Sequence, residues 1–314
     1  MRGNRGSGFA LGLLAGVSFG AATVFARQLA SAGLSGATVL TVRFAVAAAV
    51  LAVVMAMRGQ SLRPAPGERV AAVGLGVFGY GAVAALFFAA LQRGSAGGVT
   101  VLFYVFPAVV AVIEVMSRRV AAEWRIAAGV SVAIAGTVTI VHGAGLTMSR
   151  TGVLFALGAA CAFAFYLAIA ERSLVHTPPP VCAFWSSAGV AIVGVARIAT
   201  GARFSIGAAD VVPAIASGVA TACAFAFLFL SLTRLGPTRT AVVLNVEAVA
   251  AVAFGALTLG EHVGTSEAVG GALVIAAAIW TTWNVVPTAT PSVHAESLLA
   301  PVGEHSSTSG RRQP

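Results

Sequence analysis

Runs of about twenty apolar residues recur along the chain, and the stretches between them hold arginines, prolines and small polar residues. The runs cover 8–26, 36–57, 70–91, 98–116, 125–143, 152–170, 181–199, 209–231, 240–259 and 267–286. An α-helix rises about 1.5 Å per residue, so about 20 residues cross a hydrocarbon layer about 30 Å thick. The pattern predicts an all-α integral membrane protein with ten transmembrane helices. Its loops are too short to hold a soluble domain.

Composition supports that reading. Of 314 residues, 58% are hydrophobic and 9% charged, where soluble domains carry about 25% charge. Mean hydropathy is +0.94. The net charge of +9 comes from 19 basic residues, all arginine. They fall mainly between the apolar runs, where positive charge sets topology and does not bind nucleic acid. Cys161, Cys182 and Cys223 lie inside apolar runs at spacings that match no metal or redox motif, so neither a metal nor a cofactor is expected. Arg2 and Arg5 before the first run, with Ala30-Ser31-Ala32 after it, mimic a secretory signal. The run is too long for one, and is read as the first retained helix.

The chain is internally doubled. Shifted by 141 positions, Leu91, Arg93, Val101, Val105, Gly129 and Ile134 fall on Leu232, Arg234, Val242, Val246, Gly270 and Ile275. Shifted by 144, Gly8, Leu13, Ala15 and Phe19 fall on Gly152, Leu157, Ala159 and Phe163. Residues 1–145 and 146–286 therefore read as two five-helix repeats. Residues 287–314, rich in Pro, Ser and Thr, read as a disordered tail in which His294 and His305 are solvated. With the N-terminus cytoplasmic, thirteen arginines fall on the inner side and five on the outer, Arg43 lying within a span. That bias predicts a multi-pass protein of the cytoplasmic membrane with both termini inside. Five helices per repeat then make the repeats inverted relative to each other, the plan of carriers that bind substrate near the midplane.

Two enzyme-like patterns carry no chemistry here. Gly74-Leu75-Gly76-Val77-Phe78-Gly79 matches a dinucleotide fingerprint but follows no strand. Gly16-Val17-Ser18-Phe19-Gly20 matches a nucleophile elbow but lies mid-helix. Both read as close-packing faces, with Gly12, Gly16 and Gly20 spaced every fourth residue. An enzyme is therefore not expected.

Charges inside the spans weigh more, because each costs about 2.5–3.5 kcal/mol at the bilayer centre even on mild scales. Glu247 lies about 10 Å above the inner end of the ninth run. Thr240 and Thr258 fall within about 20° of it on a continuous helix, which predicts one polar, cavity-lining face. Arg43 stands seven residues inside the outer end of the second run, about 10 Å from Glu247 along the normal. The two suit opposite ends of a zwitterion better than a direct pair, although the Arg43 stem can also snorkel outward. Glu114 lies four residues before Arg118, which predicts a surface ion pair. Pro107 removes a backbone bond and predicts a kink in the fourth helix. Tyr80, Tyr104, Tyr166 and Asn245 offer further hydrogen bonds inside the spans.

Together these features resemble the EamA family of the drug/metabolite transporter superfamily, over about residues 8–286. Arg43-Phe44 resembles the family's Arg-Phe pair, and Pro107 its helix-four proline. Leu259-Gly260-Glu261 followed by Gly270-Gly271-Ala272-Leu273-Val274-Ile275 resembles its Gly-Glu turn and last helix. The chain departs at Glu247-Ala248, where the family has Glu-Pro, and at Val120, where a symmetric Gly-Glu turn would put a glutamate. The resemblance implies export of amino acids or similar small metabolites by alternating access, driven by an ion gradient or by exchange. Glu247 is the expected proton or amine acceptor, and Arg43 the expected anion or orienting contact. Thr240, Asn245, Tyr80 and Tyr104 complete the candidate substrate site. The partners expected are a small-molecule substrate, the lipid bilayer and protons, with a homodimer an allowed assembly. A channel, a structural protein and a membrane enzyme are the alternatives.

Overall fold

A computed structural model describes residues 2–94, 96–117, 123–141, 149–259 and 264–284, and all regular structure among them is helical. Glu261, Arg118, Arg119, Val120 and the tail 287–314 lie outside the described residues. The helices are α1 (Arg2–Ser31), α2 (Gly36–Met57), α3 (Arg69–Gly74), α4 (Gly81–Leu91), α5 (Ala96–Phe103), α6 (Phe106–Met116) and α7 (Trp124–Val141). They continue as α8 (Arg150–Ser173), α9 (Pro179–Ala199), α10 (Val211–Leu235), α11 (Pro237–Leu244), α12 (Val246–Leu259) and α13 (Thr265–Asn284).

Local chemistry sets the ends. Ser35 and Ser149 cap α2 and α8 by accepting from the backbone N–H groups of Thr38 and Gly152. Pro179 and Pro237 open α9 and α11, where no helical donor is needed. Gly236, at φ +77°, turns the chain straight from α10 into α11.

Among the described residues, eight helical segments are long and apolar enough to cross a membrane. Three of them are interrupted. Arg69–Leu91 joins α3 and α4 through a π-helical stretch, Leu75–Tyr80. Gly98–Met116 breaks between α5 and α6, and Pro237–Thr258 breaks between α11 and α12. Two shorter apolar helical stretches, Trp124–Thr139 and Ala268–Asn284, correspond to the fifth and tenth runs. Large apolar side chains such as Val53, Phe78 and Leu154 face outward, while the interior packs many alanines, serines and threonines among large side chains such as Phe106, Phe225 and Leu228. The apolar exterior suits lipid as the surrounding solvent, and the small residues let helices approach closely.

Packing repeats when the halves are exchanged. α1 rests on α10, and its repeat partner α8 rests on α4; α1 also meets α12, as α8 meets α6. α2 meets α10, as α9 meets the π-helical stretch, while the repeat partners α2 and α9, and α7 and α13, pack directly on each other. Glycines set the approach. A Cβ on Gly16 would lie 3.1 Å from the Glu247 nitrogen, and one on Gly20 would lie 2.6 Å from the Ala250 Cβ. The glycine face of α1 therefore holds the α11–α12 break closely.

Each end of the bundle has an inter-half clasp. At the end carrying the α1–α2 turn, the Ser35 and Thr38 hydroxyls donate to the Arg203 carbonyl at 2.7 and 3.0 Å. At the other end the clasp is charged. The Glu68 carboxylate, at the N-cap of α3, accepts from His176 N, Thr177 N and Thr177 Oγ1 at 2.9, 2.8 and 2.6 Å, and pairs with His176 Nδ1 at 2.9 Å. Burial works against its ionisation, yet the bonds from Thr177 and His176 prevail and lower its pKa from 4.5 to about 2.

Candidate functional site

The two breaks occupy equivalent positions. α5 ends at Phe103 and α6 starts at Phe106; α11 ends at Leu244 and α12 starts at Val246. The 141-residue shift carries Tyr104 onto Asn245 and Phe106 onto Glu247. In the first half Pro107 accounts for the break, because it has no N–H to give to the Phe103 carbonyl. In the second half Ala248 holds that position and the helix still breaks.

A cavity of about 650 Å³ ends at these breaks. It runs past Ala30, Gly36 and Leu91 to the end of the bundle that carries the α1–α2 turn. Nine of its 26 lining residues are aromatic, against 8% of the chain. Phe44, Phe163, Tyr166 and Phe225 ring Tyr80 at centroid distances of 4.8–5.9 Å. Toward the opposite end, every residue of α11 is buried and the path is shut.

Polar groups gather at the cavity floor. Glu247 lies in the first turn of α12, where the free N–H groups of a helix start favour an anion. Thr23 of α1 donates to its Oε1 at 3.3 Å, and Tyr104 turns its hydroxyl to the same carboxylate. Arg43 enters from α2, where its Nε donates to Thr221 Oγ1 at 2.6 Å. Thr221 donates onward to the Ser217 carbonyl at 2.7 Å, and Ser217 to the Ala22 carbonyl at 3.1 Å. Among the described residues no ion pair joins Arg43 to Glu247. The floor thus offers a carboxylate and a guanidinium to one guest.

Glu247, Arg43, Tyr80 and Tyr104 all line this cavity. Thr240 and Asn245 do not: both are fully buried on its closed side, Thr240 lying 3.4 Å from Ser231 Oγ. Thr258 lies exposed on the outer surface, its hydroxyl bonded to the Phe254 carbonyl. The break at Asn245 takes Thr240 out of phase with Glu247, while Thr258 follows Glu247 in the same helix but lies beyond Val252, the last residue of α12 to line the cavity. Tyr166 shares a 2.7 Å hydrogen bond with Ser186 and packs behind the wall. Pro107 stands at the start of α6, so the expected kink is a full interruption. Glu114 corrects the surface-pair reading: it is 3% exposed and bonds to Arg172 of α8 at 2.8 Å. Among the described residues its partner comes from the other half, which the i, i+4 rule cannot see; Arg118 lies outside them. Thr23 and Thr221 carry no signal in the sequence, since isolated threonines in apolar runs show nothing without the neighbouring helix.

Comparisons agree with this architecture. A solved crystal structure, described only as that of a protein, superposes with a TM-score of 0.74 at 18% identity, covering 94% of this chain and 99% of that one. At that identity the likeness concerns the fold alone. A search of curated proteins finds no match. The model of the EamA-like transporter family matches twice, over residues 6–142 and 150–283. The two matches fall on the two halves read from the sequence, and the chain is a membrane protein that belongs to the EamA-like transporter family.

Proposed function

We propose that the protein is a secondary carrier that exports a small metabolite, an amino acid or similar compound, across the cytoplasmic membrane by alternating access. In this reading ten segments span the bilayer as two inverted five-helix repeats, both termini are cytoplasmic, and the cavity faces outward. One observation carries the proposal: a cavity open to one end stops at two equivalent helix breaks, and the buried α11 closes the other end. Broken helices at the interface of repeats are where carriers place their binding sites. Exchanging the packing of the halves would open the opposite end.

Glu247 is the coupling group. When the cavity faces outward it binds a proton or the ammonium of the substrate, and the exchange of halves carries that occupancy to the other side. A channel is disfavoured by the closed end, and an enzyme by membership of a family of transporters. Counterflow into proteoliposomes, with labelled amino acids as probes, tests the proposal. Saturable uptake stimulated by unlabelled substrate inside supports a carrier. Flux that stays linear with concentration and ignores internal substrate means a channel.

A further inference from the structure

We infer that Thr221 is a positioning residue that turns Arg43 into an end-on oxyanion subsite, so that the cavity takes zwitterions through their free carboxylate. The inference rests on the carrier reading above. A guanidinium has five N–H donors in a fixed fork, one on Nε and four on the two terminal nitrogens. The Nε donor of Arg43 is committed to Thr221 at 2.6 Å. Among the described residues the terminal nitrogens have no hydrogen-bond partner, and the side chain lines the cavity. A carboxylate fits that terminal edge with two parallel N–H···O bonds.

The brace is itself held. Thr221 is fully buried and its own proton goes to the Ser217 carbonyl, so its oxygen is free only to accept, as Arg43 requires. Ser217, also fully buried, ties α10 to the Ala22 carbonyl of α1, one residue before Thr23, which contacts Glu247. The two charged groups therefore reach the cavity from elements joined by one polar chain. A substrate with its carboxylate on Arg43 places its ammonium toward Glu247, and the aromatic walls take its apolar body. Arg43 belongs to the first half and Thr221 to the second, so the subsite exists only while α2 and α10 stay in contact.

The test uses purified full-length protein with the twenty L-amino acids and their C-terminal amides as matched probes. Binding is read by thermal shift and transport by proteoliposome counterflow. Wild type should bind its best acid at least about tenfold more tightly than the matching amide, the scale of a lost charge-assisted pair. Thr221→Val and Arg43→Lys should erase that preference by weakening acid binding more than amide binding. Thr221→Ser, which keeps the acceptor, should retain it. A Thr221 that serves packing alone would lower the melting temperature of the free protein and weaken acid and amide equally, which overturns the inference. Saturable counterflow with equal affinity for acids and amides leaves the carrier standing and removes the oxyanion subsite. If no probe is bound or transported, both fall.

Discussion

The fourth and ninth spans break at the same repeat position, yet the two do different work. α5 lies along the cavity and contributes Thr100 and Phe103 to its wall; its equivalent α11 is buried throughout and plugs the far end. Beyond the break, α6 begins with Phe106 where α12 has Glu247. At the far ends the asymmetry reverses. Glu114 of α6 pairs with Arg172 of α8, while the equivalent positions hold Gly255 and Gln28. Duplication thus supplies a scaffold whose halves pack alike. Substitution then puts the cavity-floor carboxylate in one half and an ion pair at the closed end.

Removing the asymmetric charge should have the largest effect. Glu247→Gln is expected to lower pH-gradient-driven accumulation in proteoliposomes about a hundredfold, the low end for loss of a proton-transfer group. Substrate counterflow should survive better. Phe106→Leu, at the equivalent position, should change either assay little.

Next comes the contact between α1 and the second break. Gly20→Val puts a branched side chain where a Cβ already lies 2.6 Å from the Ala250 Cβ and 2.8 Å from the Ala251 nitrogen. It should lower stability by about 3 kcal/mol, the upper end of overpacking, read as loss of folded protein in detergent. Gly6→Val on the same helix, with open space around its Cβ position, should be tolerated.

The closed-end lock follows. Arg172→Met leaves Glu114 buried without its partner and should cost about 2 kcal/mol. That is less than the about 3–5 kcal/mol of a fully buried pair, because 30% of the Arg172 side chain is exposed. Combining it with Glu114→Leu should recover most of the loss in thermal melting.

The clasp at Glu68 gives the smallest effect and a pH signature. Its pKa is lowered from 4.5 to about 2 in the folded protein. Its contribution is therefore complete above pH 4.5 and fades as pH falls toward 2. The melting temperature of wild type should exceed that of Glu68→Gln at pH 7, and the gap should narrow below pH 4.5.

Much of this was legible in the sequence. Hydrophobic run length and the two registers marked the segments and both halves, because lipid enforces apolar composition residue by residue. Glu247 and Arg43 stood out for the same reason. The break at Asn245 was not legible, since neither proline nor glycine marks it; only the repeat register, read against Pro107, points there. Extrapolating one helical phase across that break misplaces Thr240, and a polar side chain within a span does not say which side of the break it faces, which misplaces Asn245. Thr23, Thr221 and the Arg172 partner of Glu114 depend on contacts between halves, which no local pattern encodes.

The exchange of roles between the two broken helices is most directly tested by thiol accessibility at equivalent positions. Thr100→Cys in α5 and Ala241→Cys in α11 are placed in a background lacking Cys161, Cys182 and Cys223. Labelling uses a membrane-impermeant maleimide applied from either side, with and without a transported probe. Without probe, the Thr100→Cys thiol should react from the outer side and the Ala241→Cys thiol from neither. During transport the first should slow and the second should become reactive from the inner side. Labelling of both from one side, or transport with the Ala241→Cys thiol permanently protected, would contradict the exchange.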